Sequence, residues 1–170
     1  MVASMSDEHY SFAELAGNTH PYWSEHRRKV YVASSWRNTV QPYVVQELEG
    51  AGHEVYDFKR PNNAKGFAWS DVYGSINHDQ SYPDQFLKAL DTPKAVQGFK
   101  SDFTAMQWAD TCVLVLPCER DAHLELGWAV GAGKKTAILL DNPCKASLMY
   151  RMVNLITPHI AEILEWMGDL

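Results

Sequence analysis

Apolar residues along this chain come in short bursts, and between the bursts they recur every three or four positions. The first burst, "KVYVA" at Lys29–Ala33, is β-branched, follows two arginines and predicts a strand. Val40, Val44, Val45 and Leu48 then fall at helical spacing, and Gly50 and Gly52 close that helix. "HEVYDF" (53–58) predicts a second strand. Over 60–82 the periodicity disappears, and the stretch is rich in Asn, Gly, Ser and the aromatics Phe67, Trp69 and Tyr73. A loop of that length inside a compact domain is usually functional or disordered. "PDQFLKAL" predicts a short helix. "TPKAVQGFKSDFTAMQWAD" predicts a longer one, with Thr92 as N-cap and Pro93 at its first position. "TCVLVLP" then reads as a strand, 121–133 as a helix capped by Asp121, and "KTAILLD" as a further strand. "SLMYRMVNLI" and "PHIAEILEWMGDL" read as two closing helices.

Strands alternating with helices in this order argue an α/β fold, a parallel sheet covered by helices on both faces. The expected organisation is an N-terminal arm over 1–28 and a single domain over 29–170. In such sheets a ligand sits outside the C-terminal ends of the strands. Residues 33–38, 58–61, 117–121 and 141–144 would therefore ring one crevice.

Charge and composition narrow what that crevice can serve. Twenty-one acids against 15 Lys and Arg leave a net charge of −6, which argues against a general nucleic-acid binder. No apolar run approaches the roughly 20 residues a membrane span needs. The opening "MVASMSDEHYSFAEL" lacks the charged-then-apolar layout of a signal peptide. Cys112, Cys118 and Cys144 form no C-x-x-C pair, and the histidines show no metal-ligand spacing. The expectation is a cytoplasmic protein with no metal, no cofactor and no membrane partner.

Two acids stand out against this background. Glu125 lies just inside the predicted 121–133 helix among Leu124, Leu126, Gly127 and Trp128, with little solvated face around it. If Asp121 caps the helix, Glu125 falls in the first turn, where free N–H groups and the helix dipole keep a carboxylate ionised. A dipole-complementing acid on a solvated turn is the plainer alternative. Asp102 follows Phe99 by three residues and precedes Met106 by four, in a stripe with Val96 and Phe103. That spacing puts it on or beside the buried face, where an acid needs a donor or a raised pKa. A buried acid bonded to backbone N–H groups would fit equally. Two carboxylates facing one crevice suit glycosidic chemistry: one attacks or stabilises the anomeric carbon while the other handles the leaving group's proton.

Around them, Ser34 and Ser35 in "ASSWRN" are placed to bond a sugar or phosphate, or simply to cap the next helix. The turn has neither a G-x-G-x-x-G nor a phosphate-loop pattern. Cys118 and His123 at the rim offer a rival, a thiolate nucleophile paired with a base.

The blocks "VYVASSW", "GFKSDFTAMQWAD", "CVLVLP" and "HLELGWAVGAGKKTAIL", in that order, resemble the nucleoside 2-deoxyribosyltransferase family over most of 29–149. The resemblance implies a flavodoxin-like (Rossmann-like) sheet and cleavage of the N-glycosidic bond of a nucleoside or nucleoside monophosphate, with transfer to another base or to water. It implies that Glu125 is the nucleophile, that Asp102 serves the base's proton or the sugar, and that Tyr31 positions Glu125. It also implies that 147–149 completes a neighbouring subunit's pocket in an oligomer. Glu119 stands where the family has an aspartate on the base, and Ser147 where it has a sugar-binding Asn. Ser34, Ser35, Trp36, Arg37, Phe58, Glu119, His123 and Met149 make up the expected substrate contacts, with Ser34, Ser35 and Arg37 suited to a 5′-phosphate.

A non-catalytic nucleotide-binding or sensor module of the same fold is the alternative, although pure binding would not require both Glu125 and Asp102. Leu148, Met149, Met152, Val153 and Ile156, with Ile160, Ile163, Leu164 and Trp166, form more apolar surface than one small domain buries. A homodimer or larger homo-oligomer is the expectation.

Overall fold

The structure, a computed structural model, describes residues 27–73 and 82–168. Almost all of the 1–28 arm, including His20 and His26, therefore lies outside the described residues, as do 74–81 with His78. The chain runs β1 (Lys29–Ala33), α1 (Gln41–Gly50), β2 (Glu54–Asp57), α2 (Ser70–Tyr73), α3 (Pro83–Leu90), α4 (Pro93–Trp108), β3 (Thr111–Val115), α5 (Arg120–Gly131), β4 (Lys135–Leu139), β5 (Leu155–Thr157) and α6 (Ile160–Gly168). The five strands form one all-parallel sheet in the order β2-β1-β3-β4-β5. The fold is α/β, with the flavodoxin-like strand order.

Alternation along β1 sets up the two faces. Val30 and Val32 join Val44, Val45 and Leu48 of α1 and Ile163 and Met167 of α6. Tyr31 and Ala33 join Ala105 and Met106 of α4 and Ala122, Leu126 and Ala129 of α5. Helices therefore cover both faces, and the second face carries the acids of interest.

Three local expectations are corrected. The helix expected over "SLMYRMVNLI" is a 3-10 turn (Leu148–Met152) followed by the edge strand β5. Asn154 draws that segment onto the sheet: its Oδ1 accepts from the Thr136 N–H at 2.8 Å, and its own N–H donates to the Thr136 carbonyl at 3.0 Å. Apolar spacing does not encode such side-chain clamping. In α4 the buried face is Ala95, Gly98, Ala105 and Met106, whereas Val96 and Phe99 are 52% and 68% exposed. Small residues bring this helix close to its neighbours, and the larger ones look outward. Third, α5 begins at Arg120 with Glu119 as its N-cap, so Asp121 is already helical and Glu125 falls in the second turn.

The described part of the 60–82 stretch has structure of its own. A 3-10 turn (Pro61–Asn63) and α2 lie within it, and Phe67, Trp69, Tyr73 and Phe86 pack ring against ring. Its aromatics thus form a small hydrophobic cluster over the body. Phe67 seats directly on Gly98, where an added Cβ would stand 2.6 Å from the ring.

Candidate active site

The parallel register places Tyr56 of β2 opposite Tyr31 of β1, and their rings stack at 5.5 Å and 12° on the face covered by α4 and α5. Asp102 follows the buried Gly98 by four residues and precedes the buried Ala105 by three, which turns it toward that face. Glu125 is set among Ala122, Leu126 and Ala129, all buried against the same sheet. Two carboxyls and two phenols therefore meet between the sheet and its helices. The Tyr56 hydroxyl donates to Asp102 Oδ1 at 2.8 Å and lies 2.9 Å from Ser101 Oγ. Tyr31 is 1% exposed, and its enclosed hydroxyl completes no hydrogen bond of ordinary length and angle. It nonetheless lies near enough to Glu125 and Asp102 to feel both charges.

Burial dominates the electrostatics. It pushes the Glu125 carboxyl up to about 7, with the Tyr31 hydroxyl pulling the other way and Asp102 and Asp121 adding to the rise. Asp102 is pushed up to about 6 by burial, against the pull of the Tyr56 hydrogen bond. Both tyrosines are held far above the ordinary phenol range, first by burial, so both remain protonated donors. The expectation that a helix start keeps Glu125 ionised is thus corrected. Its place in the second turn removes it from the free N–H groups, and burial then decides.

Other residues at the strand ends mostly hold one another. Ser34 Oγ donates to the Val115 carbonyl at 2.8 Å, and Ser35 Oγ accepts from the Arg37 N–H at 3.2 Å, so both serines shape the turn. Asn38 closes the turn just before α1: its Oδ1 accepts from the N–H groups of Val40 and Gln41 while Nδ2 donates to the Val115 and Pro117 carbonyls. Trp36 meets Phe58 edge-on at 5.6 Å, and its indole N–H donates to the Phe67 carbonyl at 3.0 Å. Arg37 and Glu119 form an ion pair at 3.3 Å with both side chains well exposed. Pairs of that kind add little stability.

His123 links α5 to the 3-10 turn that carries Met149. Its Nδ1 lies 2.9 Å from the Glu119 carbonyl and 3.4 Å from Cys118 Sγ, and its Nε2 lies 2.9 Å from the Tyr150 hydroxyl. The Cys118–His123 contact is therefore present. Burial and the nearby acids Glu125, Asp141 and Glu119 push the thiol up to about 12, however, which is the reverse of what a thiolate nucleophile requires. Among the described residues no group of three His, Cys, Asp or Glu is placed to hold a metal ion.

Reading the residues paired Glu125 with Asp102, the family resemblance added Tyr31, and neither pointed to Tyr56, Ser101 or Asn38. A signal for Tyr56 was present, since each of the first two strands carries one tyrosine among smaller residues. An open groove of about 970 Å³ also lies apart from Glu125, along the outer edge of β2, with Tyr56, Lys100, Ser101 and Trp108 in its wall.

No protein-family model matches the chain, and no curated protein does. Among solved structures, the 2-deoxyribosyltransferase of Bacillus psychrosaccharolyticus is similar, with a TM-score of 0.50, 17% identity, and coverage of 79% of this chain and 89% of that one. The likeness is one of fold. It concerns an enzyme built on a similar α/β frame, and it does not test the individual residues.

Proposed function

We propose that this protein cleaves the N-glycosidic bond of a (deoxy)nucleoside or its 5′-monophosphate, with Glu125 as the nucleophile. The ionised carboxylate attacks the anomeric carbon as the bond to the base breaks. Its electron pair leaves with the base, and Asp102 supplies the base's proton. Water or a second base then attacks the glycosyl ester and releases Glu125. The Tyr31 hydroxyl, beside the nucleophile, is the donor that would bond its free oxygen in the reaction, and burial keeps it protonated throughout.

One observation carries this reading: two buried carboxyls share one face of the sheet, Asp102 bonded to the Tyr56 hydroxyl and Glu125 beside Tyr31, and burial raises both pKa values. A packing role would favour pairing such acids with cations, whereas acid–base and nucleophilic work favours poising them near neutrality. The transferase named above, similar in fold, supports the choice of nucleoside chemistry. Trp36, Phe58, Glu119, His123 and Met149 are the proposed contacts for base and sugar. Arg37 would exchange Glu119 for a 5′-phosphate. Ser34 and Ser35 contribute through the shape of the turn.

Incubation with a panel of nucleosides and 5′-monophosphates, followed by chromatography of free base, tests the activity. Glu125→Ala is expected to stay folded and lose at least about a thousandfold in kcat. Activity within a few-fold of wild type would remove the assignment.

A further inference from the structure

The geometry points to a second tyrosine in the site. Tyr56 is a positioning residue that holds Asp102, and Ser101 fixes the direction of its hydroxyl. Its catalytic meaning rests on the glycosidic reading above; the hydrogen bonds do not.

The direction of each bond follows from counting protons. A tyrosine hydroxyl has one hydrogen, and here it is given to Asp102 Oδ1 at 2.8 Å. The contact with Ser101 Oγ at 2.9 Å must then run the other way, with the serine donating to a lone pair of the phenol. Ser101, Tyr56 and Asp102 thus form a directed chain that ends on the carboxyl. The ring cannot swing away, because it is stacked on Tyr31 at 5.5 Å and the paired strands fix both Cα positions. The two phenols stand side by side, Tyr56 bonded to Asp102 and Tyr31 beside Glu125.

The groups acting on this cluster are few. Tyr56 reaches Asp102 from β2, Tyr31 faces it from β1, Glu125 shares its surroundings from α5, and Ser101 lies beside it on α4. A hydrogen bond to the ionised form favours that form, so Tyr56 opposes the effect of burial on Asp102. Without the phenol, Asp102 would hold its proton to higher pH and would rotate more freely about the end of its side chain. Tyr56 and Ser101 also line the β2-edge groove, so their hydroxyls adjoin the solvent side of the cluster.

Tyr56→Phe removes one oxygen and keeps the ring, and Ser101→Ala keeps the Tyr56–Asp102 bond intact. The full chain labelled with ¹³C-aspartate gives the Asp102 titration directly by NMR, with Asp102→Asn assigning the signal. Tyr56→Phe is expected to raise the Asp102 midpoint by about one pH unit, and Ser101→Ala by less. In base release, Tyr56→Phe is expected to lower kcat about tenfold with KM within about twofold, and to move the alkaline limb of the pH profile upward. An Asp102 midpoint unchanged in Tyr56→Phe, with the fold confirmed by circular dichroism, would overturn the inference. If the wild-type protein releases no base, the glycosidic reading fails, and the titration still decides whether Tyr56 governs Asp102.

Discussion

A carboxyl that holds its proton to about pH 7 in the folded chain, against an ordinary value of 4.5, works against folding at neutral pH. The folded state binds the Glu125 proton more tightly than the unfolded chain does. Its contribution is therefore most favourable below about 4.5 and is lost as pH rises toward 7. Asp102, raised from 3.8 to about 6, acts in the same direction over a lower window. Glu125→Gln should accordingly stabilise the protein at pH 8, by on the order of 2 kcal/mol, and leave it nearly unchanged at pH 4. Thermal melts at the two pH values check this, and equal shifts at both would show that burial of charge is not the cause. Base release needs Glu125 ionised and Asp102 protonated, so it should peak between about pH 6 and about pH 7 and fall on either side, and a profile still rising above pH 8 would argue for another pair of groups. Both acids were legible because each interrupts an apolar stretch. The protonation state of Glu125 was not, since it depends on where α5 begins, and Glu119 rather than Asp121 caps that helix. Tyr56 escaped notice because its importance lies in cross-strand register, which a single strand does not display.

At the level of elements, the apolar pattern located β1 to β4 and α1, α3, α4 and α5, and it missed α2, which lies within the aperiodic 60–82 stretch and buries no residue. It failed where a specific contact overrides the pattern. β5 forms because Asn154 bonds to Thr136 on both main chain and side chain, turning an apolar stretch into an edge strand. α4 misleads in another way. Val96 and Phe99 are outside, while Gly98 faces in so that Phe67 can seat on it. Asp102 lies one turn further along that helix. Gly98→Leu should therefore displace the Phe67 loop or tilt α4, costing about 1–3 kcal/mol and moving Asp102 with the helix. Denaturant melts and kcat check it together: a stable variant with full turnover would show that the Phe67 seat does not position the acid.

At the scale of the whole molecule, the parallel sheet and the cover of both faces follow from alternation, the flavodoxin-like strand order was implied by the family resemblance, and the assembly expectation divides. The final helix is spent on the monomer, with Ile163 and Met167 fully buried and Ile160, Leu164 and Trp166 packed on the same core. Leu148, Met149, Met152 and Ile156 remain 80%, 60%, 50% and 41% exposed, next to the His123–Tyr150 link. A homodimer using this surface is the expected state, with Met149 near the partner's site. Light scattering at micromolar concentration should give about twice the 19.3 kDa chain mass, and Met149→Lys with Met152→Lys should restore the single-chain value. A wild-type mass of one chain would contradict the assembly. No helix among the described residues is long and apolar enough to cross a membrane.

The nucleophile is the central claim, and a covalent ester is its direct consequence. Wild-type protein is mixed with a 2′-deoxynucleoside that it cleaves, quenched in acid within a turnover, digested and mapped by mass spectrometry. The peptide containing Glu125 should gain the mass of one deoxyribosyl group, and the same peptide from Glu125→Gln should gain nothing. Base release with no sugar on Glu125 at any quench time, or with the sugar on Cys118, would contradict the account.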